Sequence, residues 1–160
     1  MKFWQSKKEK ILEWELIKYY KYLKLNQAYF PKELFQIITS DWYIDPRNHK
    51  CPHDGNLISL ELSEQVDHSE TSFIGKLELR IRIKAAYLDY EINYIYKGIK
   101  RYSFNYPDYI YDSTHGDWLI DRFLVSNEKR IIHKIIFSSN SIYEIECEDI
   151  NIEFVESSDS

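Results

Sequence analysis

At 160 residues, with 44% hydrophobic and 29% charged side chains, the chain has the size of one domain and a globular balance that excludes wholesale disorder. Its net charge of −5 repels polyanions, which argues against general nucleic-acid binding and suits a basic partner. Cys51 and Cys147 are the only cysteines. A chain this long needs no disulfide, so free thiols in a reducing cytosol are expected.

The charge is uneven. Residues 1–50 carry ten bases against six acids, residues 51–110 seven against nine, and residues 111–160 four against eleven. From Glu144 to the end there are seven acids and no base. Near the N-terminus, lysines alternate with Glu9, Glu13 and Glu15, and no uninterrupted apolar run follows. Neither a secretory signal nor a spanning helix is expected, and the chain reads as cytoplasmic.

Ser6 to Lys24 reads as a helix. Ser6 and Glu9 have capping-box spacing, and Leu12, Leu16, Tyr19, Tyr20 and Leu23 share one face. The opposite face carries lysines with Trp14 and Ile17. It either packs under a loop or sheet edge or offers Trp14 to a partner. A second, short helix is expected from Pro31 to Thr39. Ser40 to Gly55 is rich in turn signals and reads as a loop anchored by Trp42 and Tyr43.

Everything beyond is short-strand material. Asn56–Leu62, Lys76–Lys84, Glu91–Tyr96, Ile99–Tyr106, Trp118–Val125, Arg130–Phe137, Ile142–Cys147 and Ile150–Val155 are the candidates. Leu77, Leu79, Ile81 and Ile83 alternate with charged residues, the mark of a half-buried strand. Lys97-Gly98 is expected to turn a hairpin, and Ser126–Lys129 another. Connections this short imply antiparallel neighbours. The expected fold is α+β and mainly antiparallel β, its N-terminal helix packed on one twisted seven- or eight-stranded sheet. A single domain over residues 1–156 is expected, with residues 157–160 as a frayed tail.

No residue set shows a catalytic pattern. His49, Cys51, His53 and Asp54 are the one dense group of metal-capable side chains, but they lack the distant second pair of a zinc site. His115, Asp117 and His133 are dispersed. In a 118–125/130–137 hairpin, His133 falls opposite roughly residue 122, away from His115, with no evident nucleophile or orienting carboxylate. Glycines stand singly at 55, 75, 98 and 116, so no phosphate loop is present. Tyr90, Tyr94, Tyr96, Arg101 and Tyr102 could form an aromatic platform, but the acidic balance opposes nucleic acid there. Catalytic residues, metals and cofactors are therefore expected to be none.

Asp41-Trp42-Tyr43-Ile44-Asp45-Pro46-Arg47-Asn48, Pro52-His53-Asp54 and Tyr96–Tyr102 resemble stretches of a group of small bacterial proteins. So does the run from His115-Gly116-Asp117-Trp118-Leu119 through His133 to Glu146-Cys147-Glu148-Asp149. Some members of that group are similar to immunity proteins of polymorphic-toxin systems. The resemblance spans roughly residues 30–155 and implies a tight, non-catalytic protein binder. A basic toxin would suit the chain's acidity as its partner; the excess of acids in residues 111–160, and not the resemblance, marks Glu144, Glu146, Glu148 and Asp149 as the candidate docking patch, with the Trp14 face of the first helix as the next candidate contact. Two other classes stay open: a small enzyme with a dispersed site, and a homo-oligomeric structural subunit. No membrane partner is expected.

Overall fold

A computed structural model of the chain describes residues 7–66, 75–106 and 114–158, with side chains from residue 15 onward except Gln65 and Val66. The order is α1 (Lys7–Leu25), a 3₁₀ turn (Gln27–Tyr29), α2 (Lys32–Ile38), α3 (Asp41–Ile44), β1 (Asn56–Val66) and β2 (Gly75–Lys84). Then come β3 (Tyr90–Lys97), β4 (Arg101–Phe104), β5 (Trp118–Val125), β6 (Ile131–Phe137), β7 (Ile142–Cys147) and β8 (Asp149–Glu156). Ser6 and the side chains of Glu9, Leu12 and Trp14 lie outside the described residues.

The strands form two sheets of four, β1-β2-β3-β8 and β4-β7-β6-β5, in place of the single sheet expected from the sequence. Every pairing is antiparallel. The chain leaves the first sheet at Lys97-Gly98. Gly98 has the positive φ expected of it, +64°, yet β3 pairs with β2 and β8 while β4 pairs with β7. The turn therefore carries the chain from one sheet to the other. A Cβ at Gly98 would sit 2.8 Å from the Glu148 side chain, at the point where β7 crosses back to β8. Local turn chemistry is the same for a hairpin and for a crossing, so only the pairing partners distinguish them.

The inner faces of the two sheets meet in one core. Leu79, Ile81 and Ile83 are fully buried in it, as the β2 alternation predicts, while Leu77 at the strand's outer end is half-buried. Opposite them, β6 turns Ile131, His133, Ile135 and Phe137 inward, and β7 turns Tyr143, Ile145 and Cys147 inward. Burial of each large aliphatic side chain contributes about 1.5–3 kcal/mol. The sheets also meet along one margin, where Asp54 N donates to Trp118 O and Trp118 N to Gly55 O, both at 2.9 Å.

α1 sends Leu23 into the core and packs Tyr19, Tyr20 and Tyr22 against it. The helix reaches the free edge of β5, where the Tyr19 hydroxyl accepts from Phe123 N and the Tyr22 hydroxyl from Val125 N, each at 2.8 Å. An uncovered edge strand exposes a row of unpaired amides, and two phenols on one helix satisfy them. Leu23 on the same helix is fully buried, whereas Ile17 is exposed. α2 buries Leu34 and Ile38. α3, unseen in the sequence because its four residues carry no periodicity, drives Tyr43 into the core and sets Trp42 edge-on against Phe154. Ser157, assigned to the tail, donates its amide to Asp89 O at 2.7 Å.

Candidate functional site

The β5–β6 hairpin has the expected partners, with His133 opposite Phe123. Strict alternation would put Trp118 and Asp121 on opposite faces. A register shift between Trp118 and Ile120 turns both inward, and a carboxylate thereby enters the core. Asp121 is 9% exposed and His133 0%.

A chain of hydrogen bonds joins the two sheets through this pair. Asp121 Oδ2 lies 2.7 Å from His133 Nε2, and the Tyr43 hydroxyl donates to the same oxygen at 2.7 Å. The Tyr96 hydroxyl lies 2.7 Å from His133 Nδ1, and the Tyr94 hydroxyl 2.9 Å from that of Tyr43. Burial pushes the phenols of Tyr43, Tyr94 and Tyr96 well above their usual pKa, so each keeps its proton. Tyr94 therefore donates to Tyr43, which in turn donates to Asp121, and His133 bridges the Tyr96 hydroxyl and Asp121 through its two ring nitrogens. Both groups reach Oδ2, and Oδ1 has no partner among the described residues.

This arrangement supplies the carboxylate that the sequence reading lacked, but it is not a proton relay to a substrate. Both ring nitrogens of His133 are occupied and the ring is stacked on Phe123 at 4.1 Å. A general base needs a free nitrogen facing the substrate. The pair's evident work is to hold β3, β5, β6 and α3 in one register.

Asp121 also lines a cavity of about 310 Å³ beside the β5 edge, together with Leu16, Tyr43, Cys51, Trp118 and Arg122. The Cys51 thiol, pushed up to about 11 by burial, donates to Tyr43 O at 3.1 Å and is no nucleophile in this state. Arg122 Nη1 donates to Asp121 O at 2.9 Å, and its guanidinium covers the Tyr19 ring at 4.7 Å.

The metal-capable residues of the 49–54 loop diverge. His49 stacks on Tyr87 at 4.1 Å and bonds Asp89, Cys51 is buried, and His53 Nδ1 meets Leu119 O at 2.8 Å. Among the described residues no group of three or more His, Cys, Asp or Glu is placed to hold a metal ion. His115 has its own partner, the Tyr143 hydroxyl at 2.7 Å, and burial lowers its pKa. Tyr94 and Tyr96 are fully buried and in a different sheet from Arg101 and Tyr102, so the five residues form no common platform.

The acidic residues are brought together only in part. Glu144 and Glu146 lie on the outer face of the β5–β6–β7–β4 sheet, half-buried rather than freely exposed. Arg101 lies 2.9 Å from Glu144 and 4.0 Å from Glu146, and Arg130 lies 3.8 Å from Glu146. Glu148 meets Lys100 at 3.2 Å at the crossing, and Asp149 opens β8 in the other sheet opposite Lys97. Arg80 and Arg82 bond Glu78 and Glu91 within their own sheet.

Sequence periodicity gave no warning of the other feature of that outer face. Ile120, Leu124, Ile132, Ile136 and Ile142 all point outward by register, half-buried, and none packs against the core cluster. They are interleaved with Arg101, Arg122, Lys134, Glu144 and Glu146. No protein-family model and no curated protein matches the chain.

Proposed function

We propose that this chain is a non-catalytic protein-binding domain that uses the outer face of the β5–β6–β7–β4 sheet. The observation that carries this reading is the set of five outward aliphatic residues on adjacent strands, bordered by charges of both signs. Specific interfaces are built this way, with an apolar centre that loses water and a charged rim that sets register. The net charge of −5 favours a basic partner at long range. The sequence resemblance supports the more specific form of the reading, an immunity protein that neutralises a basic toxin. Two buried, unpaired cysteine thiols are in keeping with action in the cytosol. No helix among the described residues is long and apolar enough to cross a membrane.

The test compares the wild-type chain with Ile132→Asp/Ile136→Asp. Both substitutions lie on the outer face, and a denaturant melt checks that the fold survives. The wild-type chain should retain a basic protein at one-to-one stoichiometry, and that protein should be toxic when expressed alone and harmless beside this chain. The double variant should lose both retention and protection. Equal retention by the variant would remove this face from the account, and a retained protein without toxicity would remove the immunity role. Dimers of the wild-type chain that the variant dissolves would instead assign the face to a second copy.

A further inference from the structure

The register of β5, β6 and β7 gives the outer face of their sheet a definite order. Ile120 stands opposite Ile136 and Ile136 opposite Ile142, an aliphatic row across three strands, while Leu124 and Ile132 make a second row. Between the rows, Arg122 and Lys134 lie directly opposite each other, and Glu144 follows on β7. Lys134 therefore stands at the centre of the aliphatic set, half-buried, with Ile132 and Ile136 as its same-face neighbours along β6.

Like charges directly opposite on one sheet face repel. Arg122 has local partners: its Nη1 donates to Asp121 O at 2.9 Å, and its guanidinium covers the Tyr19 ring at 4.7 Å. Lys134 has none. The carboxylate opposite it, Glu144, is turned to Arg101 at 2.9 Å, and no hydrogen bond, ion pair or ring contact reaches the Lys134 side chain among the described residues. On an open face water solvates this ammonium. A protein that covers the aliphatic rows removes that water, and a buried charge without a partner costs more than the apolar contacts around it gain. The covering surface must therefore bring a counter-charge to the centre.

We propose that the docked protein sets an Asp or Glu side chain, ringed by apolar residues, on Lys134, and that this lysine determines the specificity of the face. The inference rests on the outer-face reading above and adds the chemistry at its centre. The net charge of −5 acts on a basic partner at long range, whereas Lys134 reads one carboxylate at contact. A surface that presents an alkyl or basic group there strands the ammonium and is rejected.

One part of the test uses the free chain alone. Lys134→Met removes the like-charge pair and keeps an unbranched stem, so its urea midpoint should equal or exceed that of the wild-type chain. A lower midpoint means that the lysine is bonded within its own chain and overturns the proposal. The other part uses the protein that the wild-type chain retains at one-to-one stoichiometry. Lys134→Met should bind that protein at least about tenfold more weakly. A carbodiimide, which couples an amine to a carboxylate in contact with it, should join Lys134 to an Asp or Glu of the retained protein, read by mass spectrometry. Full affinity of Lys134→Met beside lost affinity of Ile132→Asp/Ile136→Asp overturns the carboxylate contact and leaves the face in place. Full affinity of both variants, or no protein retained, overturns the face and this inference with it. Coupling of Lys134 only to Glu144 of its own chain, or to a second copy of the chain, overturns the assignment to a partner's carboxylate.

Discussion

Tyr96 and His133 rest on each other deep in the core, and the phenol has no other described partner. Removing its hydroxyl strands Nδ1 on a fully buried ring. Tyr96→Phe should therefore cost about 1–3 kcal/mol in a urea melt, although only one oxygen is lost. A cost near zero would mean that His133 Nδ1 has found another hydrogen-bond partner. His115 makes a different prediction. Burial lowers its pKa from the ordinary 6.5, so the unfolded chain binds its proton more readily than the folded one. The stability tied to neutral His115 is complete above pH about 6.5 and is lost as pH falls through that value toward the lower folded pKa. An NMR titration should place its midpoint below that of a free histidine, and His115→Gln should flatten this part of the stability profile.

At the scale of elements, the contact between α1 and β5 is decided by two hydroxyls. Tyr19→Phe/Tyr22→Phe keeps the rings and removes only the acceptors for Phe123 N and Val125 N. The expected loss is about 1 kcal/mol per bond, and amide exchange at Phe123 and Val125 should speed up selectively. Unchanged exchange there would show that the helix does not guard this edge. β2 depends on apolar burial instead. Leu79 is fully buried, and Leu79→Ala should cost about 2–5 kcal/mol through lost transfer energy and a cavity. A denaturant melt that moves by less than about 0.5 kcal/mol would place this side chain outside the packed core.

For the whole molecule, the consequence of the charge distribution is kinetic. Under the partner-binding proposal, Glu144 and Glu146 steer a basic protein toward the outer face. Their bonds to Arg101 and Arg130 make lysine reversal a poor probe, because it would place like charges side by side. Glu144→Gln/Glu146→Gln is the cleaner one. Association with the captured partner should slow severalfold at low salt, with the difference fading near about 0.5 M salt as screening shortens the electrostatic range. An unchanged association rate at low ionic strength would remove these two residues from the steering surface and leave the aliphatic face to explain affinity alone.

Period and punctuation in the sequence were enough to locate the strands, the α2 helix, the β5–β6 hairpin and the inward row of Leu79, Ile81 and Ile83. These features depend on neighbours a few residues away, and alternation records them directly. The division into two sheets was not legible, because a glycine turn at Gly98 serves a hairpin or a crossing equally well. Nor was the Asp121–His133 pair. It exists only because a register shift after Trp118 turns the carboxylate inward, and because Tyr43 and Tyr96 arrive from elements 78 and 37 residues away from the groups they bond. Likewise, Glu144 to Asp149 are contiguous as a string of acids, but β7 and β8 lie in different sheets and lysine and arginine side chains from β4, its approach and the β5–β6 turn stand among them. Composition and periodicity determined which segments would be strands and which side chains could be buried. Only the long-range pairing of those strands decided which polar groups meet, since hydrogen bonds and ion pairs depend on distance in space, and the chain brings together residues that no local pattern connects.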